Sequence, residues 1–266
     1  MKSVSLISKL AVAGLAFAVS GTAMASGGHA LPYSYVADVD NLPSVQRGAS
    51  AFMGYCSGCH SMKYLRYSRV GQDLKIPEDL LKANLMFTSD KVGDQIISSL
   101  SKAEGAKWFG QAPPDLTLET RARGEDWVYS YLKSFYVDPT RPMGVNNLVL
   151  PGASMPHVLW EKQGWQKKAE AEHHEGGEAA HGEKKEGEHA EAAGHGHASP
   201  FTLVQQGTLE PREYDKFVGD IVNFMAYAAE PGRSHRQSLG IKAIVYLLIL
   251  LGFAYLLKKE YWRDVH

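Results

Sequence analysis

The sequence predicts a mainly α-helical domain followed by a C-terminal membrane-spanning helix, and three observations carry that prediction. Apolar residues recur at three- and four-residue spacing in several stretches, while alternating strand-like runs are sparse. One of those stretches delivers the pentapeptide Cys56-Ser57-Gly58-Cys59-His60. A second kind of stretch, Leu239 to Leu257, is apolar on every face and interrupted only by Lys242.

Taken in order, the first 25 residues read as an export signal. Lys2 and Lys9 supply its positive region, Leu10 to Val19 its apolar core, and Ala23-Met24-Ala25 the small residues of a cleavage site. The exported chain then starts at Ser26 and runs to about residue 232 as one domain. Pro43-Ser44 marks a helix start, after which Val45, Ala49, Phe52 and Met53 fall on one face up to Cys56. Gly48 lies on that face without a side chain, which lets a partner helix approach closely. Thr88 to Leu100 is expected to be helical with Thr88 or Ser89 as cap, and Glu125 to Phe135 likewise, with Trp127, Val128, Tyr131, Leu132 and Phe135 on one side. From Glu210 to Glu230, Tyr214, Phe217, Val218, Ile221, Phe224, Met225 and Ala228 form the longest stripe, the natural partner of the helix before Cys56.

The run at 239–257 holds 19 residues, about 28 Å of helix against a hydrocarbon core of about 30 Å, so a span is predicted, with Lys242 carrying its charge to the headgroups. Basic residues flank both ends, so the export signal decides orientation: the domain outside the cytoplasmic membrane, residues 258–266 inside. For a bacterial chain that places the domain on the periplasmic side of the inner membrane.

Residues 167–199 depart from globular composition. They contain no aromatic and no branched aliphatic residue, but six histidines, eight glutamates and four lysines. Such a stretch cannot form a core and is expected to be a disordered insertion. Its charge moves from -4 with neutral histidine to +2 with all six protonated. It is read as a solvated tether, with weak capture of zinc, copper or nickel as the sharper alternative. The whole chain has a formal net charge of -1, which offers nucleic acid no attraction.

The pentapeptide carries the chemistry. Two thiols three positions apart, followed at once by an imidazole, form the attachment pattern of c-type haem: each sulfur adds to a vinyl group and His60 binds the iron from one face. A zinc site would need two more ligands, and the chain has no other cysteine. A redox dithiol would want a βαβ setting, and a disulfide over so short a loop would constrain little. One iron position is left open. Met53 and Met62 sit too near the pentapeptide to reach the opposite face and Met225 belongs to the stripe, leaving Met86, Met143 and Met155. Met155 is favoured, with Met143 next, because Pro151-Gly152-Ala153-Ser154-Met155-Pro156 is a turn-rich loop stiffened by two prolines.

These residues resemble the cytochrome c1 family. The likeness rests on Gln46-Arg47-Gly48 before the pentapeptide, then Ser61-Met62, Tyr64 and Tyr67, on Ala112-Pro113-Pro114-Asp115-Leu116 followed by Arg121-Ala122-Arg123 and Gly124-Glu125-Asp126, and on Ala228-Ala229-Glu230-Pro231 ahead of the terminal span. The resemblance implies a class I cytochrome c-like domain with one covalent haem c on Cys56 and Cys59. It implies His60 and Met155 as axial ligands, a carbonyl of Pro113-Pro114 (assigned to Pro114) at the proximal imidazole, and Arg121 at a haem propionate. The histidine-rich insertion departs from the family pattern.

The resemblance further implies one-electron transfer within a cytochrome bc1 complex, from a Rieske iron–sulfur protein to a cytochrome c, beside cytochrome b and in a dimeric assembly. No substrate chemistry is expected of the isolated chain. Two other readings stay open at this point: a membrane-anchored cytochrome c serving another oxidase or dehydrogenase, and a metal-handling protein acting through its histidine tract.

Overall fold

The computed structural model describes residues 31–169 and 200–263; the expected leader and residues 170–199 of the expected insertion lie outside them. In chain order the described elements are α1 (Leu42–Tyr55), β1 (Met62–Arg66), α2 (Tyr67–Asp73), α3 (Glu78–Leu85), β2 (Gln95–Ile96), α4 (Lys102–Phe109), α5 (Glu119–Arg123) and α6 (Glu125–Lys133). They continue with β3 (Phe135–Val137), β4 (Val145–Asn147), α7 (Trp160–Gln163), β5 (Gly164–Lys168), β6 (Phe201–Gln206), α8 (Pro211–Ala229) and α9 (Arg233–Tyr261). Helix dominates. The strands form three two-stranded antiparallel ladders, β1–β2, β3–β4 and β5–β6.

The core is built on α1 crossing α8. Asn41 starts α1 by accepting a hydrogen bond from Ser44 N at 3.2 Å, with Pro43 in the first turn, where an N–H has no helical partner. α8 begins with Pro211 and a reciprocal cap between Glu210 and Glu213. Val45, Ala49, Phe52 and Met53 meet Val218, Ile221, Phe224 and Met225 in one buried cluster, with the Phe52 and Phe224 rings 5.6 Å apart. Each such side chain contributes roughly 1.5–3 kcal/mol by leaving water. The helices approach closely at Gly48, where an added Cβ would stand 1.8 Å from the Asp220 carbonyl oxygen.

A polar seam runs beside this contact. The buried Asp220 carboxylate accepts from Arg47 at 2.6 and 2.9 Å and from the Ser44 hydroxyl. Asn223 donates to Ser44 Oγ at 2.8 Å, and its carbonyl accepts from Asp38 N and from the Tyr35 hydroxyl. A buried carboxylate is tolerable only with such partners, and here the partners also hold the segment before α1 onto α8.

The structure corrects three expectations. Thr88 to Leu100 is not a helix, because its backbone is used elsewhere: Val92 and Asp94 carbonyls accept from Ser68 N and Tyr67 N at the start of α2, and Ile96 pairs with Met62. The expected helix from 125 stops at Lys133, since Phe135 joins a ladder opposite Asn147. Lys167 and Lys168, placed at the start of the insertion, belong to β5 and pair with Thr202 and Phe201.

α9 is the one helix among the described residues long and apolar enough to cross a membrane. Its 29 residues span about 44 Å and extend the predicted 239–257 run by a polar turn or more at each end. Arg233 meets Glu125 at 2.7 Å and Arg236 meets Glu230 at 2.6 Å, so the first turn of α9 is tied to the start of α6 and to the residue that ends α8.

Candidate functional site

α1 ends by presenting Cys56 to the interior. Cys56 N and Ser57 N both donate to the Phe52 carbonyl, Ser57 Oγ to Met53 O, and Cys59 N and His60 N to Cys56 O, a tight turn that brings both thiols and the imidazole to one wall. Burial, with Cys59 beside it, pushes the Cys56 thiol up to about 12, so it is a neutral, packed group rather than a reactive thiolate. His60 Nδ1 lies 2.8 Å from the Pro114 carbonyl oxygen. A carbonyl only accepts, so Nδ1 carries the proton and Nε2 keeps its lone pair. Burial lowers the pKa of His60 despite that hydrogen bond, which favours the neutral, ligating form.

Neighbouring segments brace the turn. Ser98 Oγ donates to Gly58 O at 2.7 Å and Ser98 N to Ser61 Oγ at 2.9 Å. Leu116 N donates to Ser61 O, and Lys63 N to the Asp115 carboxylate at 2.8 Å.

Cys56, Cys59 and His60 open onto a mostly apolar cavity. Its lining comes from Pro113, Pro114 and Leu116, from Val128, Tyr131 and Leu132 of α6, from Ile221 and Met225 of α8, and from the loop residues Leu150, Ala153, Ser154, Met155, Pro156 and Val158. From that loop the Met155 Sδ lies 3.5 Å from the Tyr131 hydroxyl. The loop hangs on side chains. Asn147 accepts from Val149 N and Leu150 N and donates to Tyr131 O at 2.8 Å, Asn146 accepts from Gly152 N, and Arg141 donates to Gly152 O at 2.8 Å. Gly152 has φ +81, a left-handed turn that a side chain would strain.

Of the three candidate methionines, Met155 lines the cavity, while Met86 is buried in the core and Met143 lies on the surface, 36% exposed. Arg121 does not line it: its guanidinium points to Glu230, 3.6 Å away, and is 62% exposed. Two positions along a helix turn a side chain by about 200°, so Arg123, not Arg121, reaches the cavity. Arg123 sits at the rim, paired with Glu119 and lying 4.2 Å over the Trp127 ring. His157, two residues past Met155, turns away and stacks on Phe135 at 5.2 Å. No cluster of three or more metal-binding His, Cys, Asp or Glu occurs among the described residues; the six histidines of the tract lie outside them.

The donor set fits a covalent haem: two thiols and an available imidazole Nε2 from one turn, a thioether from a separate loop of the same cavity, apolar walls for a flat macrocycle, and one arginine among its lining. The residues sequence reasoning passed over are Ser98, Asn146, Asn147 and Arg123. Only Arg123 had a sequence signal, its place in Arg121-Ala122-Arg123.

Comparison with known proteins points the same way. The model of the cytochrome C1 family matches residues 34–168 and 204–265, breaking at the histidine-rich segment. A cytochrome c1 of Allochromatium vinosum is 46% identical over 91% of this chain and 93% of its own. A protein named ammonia monooxygenase gamma subunit, from Nitrosomonas europaea, is 40% identical over 84% of each chain, and a cytochrome c1 of Rhodospirillum rubrum is 30% identical over 96% of each. With the family model matching most of its length in this way, the chain belongs to the cytochrome c1 family, whose members carry a covalently bound haem c.

Proposed function

We propose that this chain is the electron-transfer haem subunit of a cytochrome bc1 complex, seated beside cytochrome b, taking single electrons from a Rieske iron–sulfur protein and passing them to a cytochrome c. One observation carries the reading: His60, Met155 and both cysteines line a single, mostly apolar cavity. Haem held there supplies reversible one-electron transfer at iron, with no bond made to a substrate.

The chain's own residues do the rest. Cys56 and Cys59 would hold the group covalently, and His60 and Met155 would ligate its iron. The Pro114 carbonyl fixes the imidazole tautomer and its plane, as partners behind a metal ligand do. Arg123 would meet a propionate at the mouth with a charge-assisted hydrogen bond. The apolar walls would keep water from the iron. α9 tethers the domain to the bilayer, with the domain on the periplasmic side of a bacterial inner membrane and the complex a dimer.

A reduced-minus-oxidised spectrum of the membrane complex purified through this chain tests the proposal. Bands of c- and b-type haem together, with quinol-driven reduction of cytochrome c, are expected; a c-type band without b-type company would assign the chain to another oxidase or dehydrogenase.

A further inference from the structure

Tyr131 is placed by more than its own ring. Trp127 stacks on it at 5.1 Å with planes 7° apart, and Phe135 meets it edge-on at 5.2 Å, so the phenol is held between two aromatic neighbours. Its carbonyl accepts from the amide of Asn147, which is fully buried and whose oxygen holds Val149 N and Leu150 N. The same residue therefore braces the Met155 loop through its main chain and touches the Met155 sulfur through its side chain. The contact is an O–H donor 3.5 Å from Sδ, within the longer reach of hydrogen bonds to sulfur.

A thioether sulfur has two lone pairs. One can bind a metal while the other accepts a hydrogen bond. The donor draws electron density from the sulfur and places the positive end of its dipole beside the ligand. Both effects disfavour the extra positive charge of oxidised iron and leave the reduced form relatively more stable.

We propose that Tyr131 acts through Met155 as a tuning residue: its hydroxyl, donating to Met155 Sδ, holds the reduction potential of the haem higher than the thioether alone would set it. This rests on the reading of Met155 as the axial ligand.

The test compares the intact complex with the Tyr131→Phe and Met155→Leu variants by equilibrium redox titration and by the near-infrared charge-transfer band that thioether-ligated ferric haem shows. Tyr131→Phe keeps the ring contacts with Trp127 and Phe135 and removes only the O–H. The expected result is a lowered potential with the band retained and shifted. An unchanged or raised potential with the band in place would overturn the tuning role while leaving Met155 as ligand. Loss of the band in Tyr131→Phe would overturn it too, because the hydroxyl would then be holding the ligand in place rather than adjusting it. A band that persists in Met155→Leu, or is missing from the unsubstituted complex, would overturn the Met155 reading itself and the inference with it.

Discussion

The wall that bears Cys56, Cys59 and His60 is closed by main-chain hydrogen bonds reaching back no further than Phe52, and is braced from farther along the chain by Ser98, the Pro114 carbonyl and Leu116 N. The wall that bears Met155 is held the other way, by the side chains of Asn146, Asn147 and Arg141 binding the backbone of a loop. A turn closed on itself survives the loss of any one side chain. A loop hung on the amides of Asn146 and the buried Asn147 does not, because each amide removed strands several polar groups at once. Placement of the cysteine–histidine turn is thus the robust half of the site, and placement of Met155, the axial ligand proposed above, the sensitive half.

That contrast can be broken at its strongest point by replacing Cys56 and Cys59 together with alanine, which should abolish covalent haem altogether; a haem stain surviving denaturing electrophoresis would refute the attachment. Next in size is Gly48→Ala. Its methyl group would lie 1.8 Å from a backbone oxygen of α8, which cannot swing aside, so α1 must shift at a cost of about 3 kcal/mol or more, measured by denaturant titration. The midpoint staying put would show that the two helices are not in contact as described.

Asn147→Ala separates the two walls. It should cost on the order of 3 kcal/mol, since Val149 N, Leu150 N and Tyr131 O lose their partner. Covalent haem should persist while the thioether charge-transfer band is lost, and a retained band would mean that the loop holds its shape without the amide. The smallest effect concerns Asp138, whose carboxylate the Thr140 hydroxyl and then the Asn146 amide hold below the usual range. A folded-state pKa below the unfolded one gives stabilisation that is complete above the ordinary carboxylate range and fades as pH falls through the depressed value. Asp138→Asn should therefore flatten the loss of thermal stability between about pH 5 and pH 3, seen as a smaller drop in Tm than in the unsubstituted chain.

The same contrast explains what could be read from sequence. α1, α6, α8 and α9 follow from apolar periodicity or length, and the pentapeptide from residue types at adjacent positions, because both are local signals. Met155 followed from a stiff loop of two prolines and a glycine. Ser98, Asn146 and Asn147 carry no such signal: Ser98 bonds to residues 37 and 40 positions away and Asn147 reaches back 16 residues to Tyr131 O, while the asparagines' contacts within the loop are those any turn asparagine can make, and a serine or asparagine in a loop looks alike whether it braces a site or faces water. Thr88 to Leu100 failed for a related reason, since the demand of α2 for capping carbonyls outweighed local propensity. The choice between Arg121 and Arg123 needed the rotation of a helix too short to show a period.

The β5–β6 ladder closes with Ala169 N donating to Pro200 O at 2.8 Å. Everything between those residues enters and leaves the domain at one hydrogen-bonded gate, and the entropy of closing such a gate grows by only about 0.6 kcal/mol for each doubling of the enclosed length. The hairpin is therefore a natural port for gain and loss of sequence. Segments can be lengthened, trimmed or exchanged there, by mutation over generations or by an engineer adding an affinity handle, at little cost in closing the ladder.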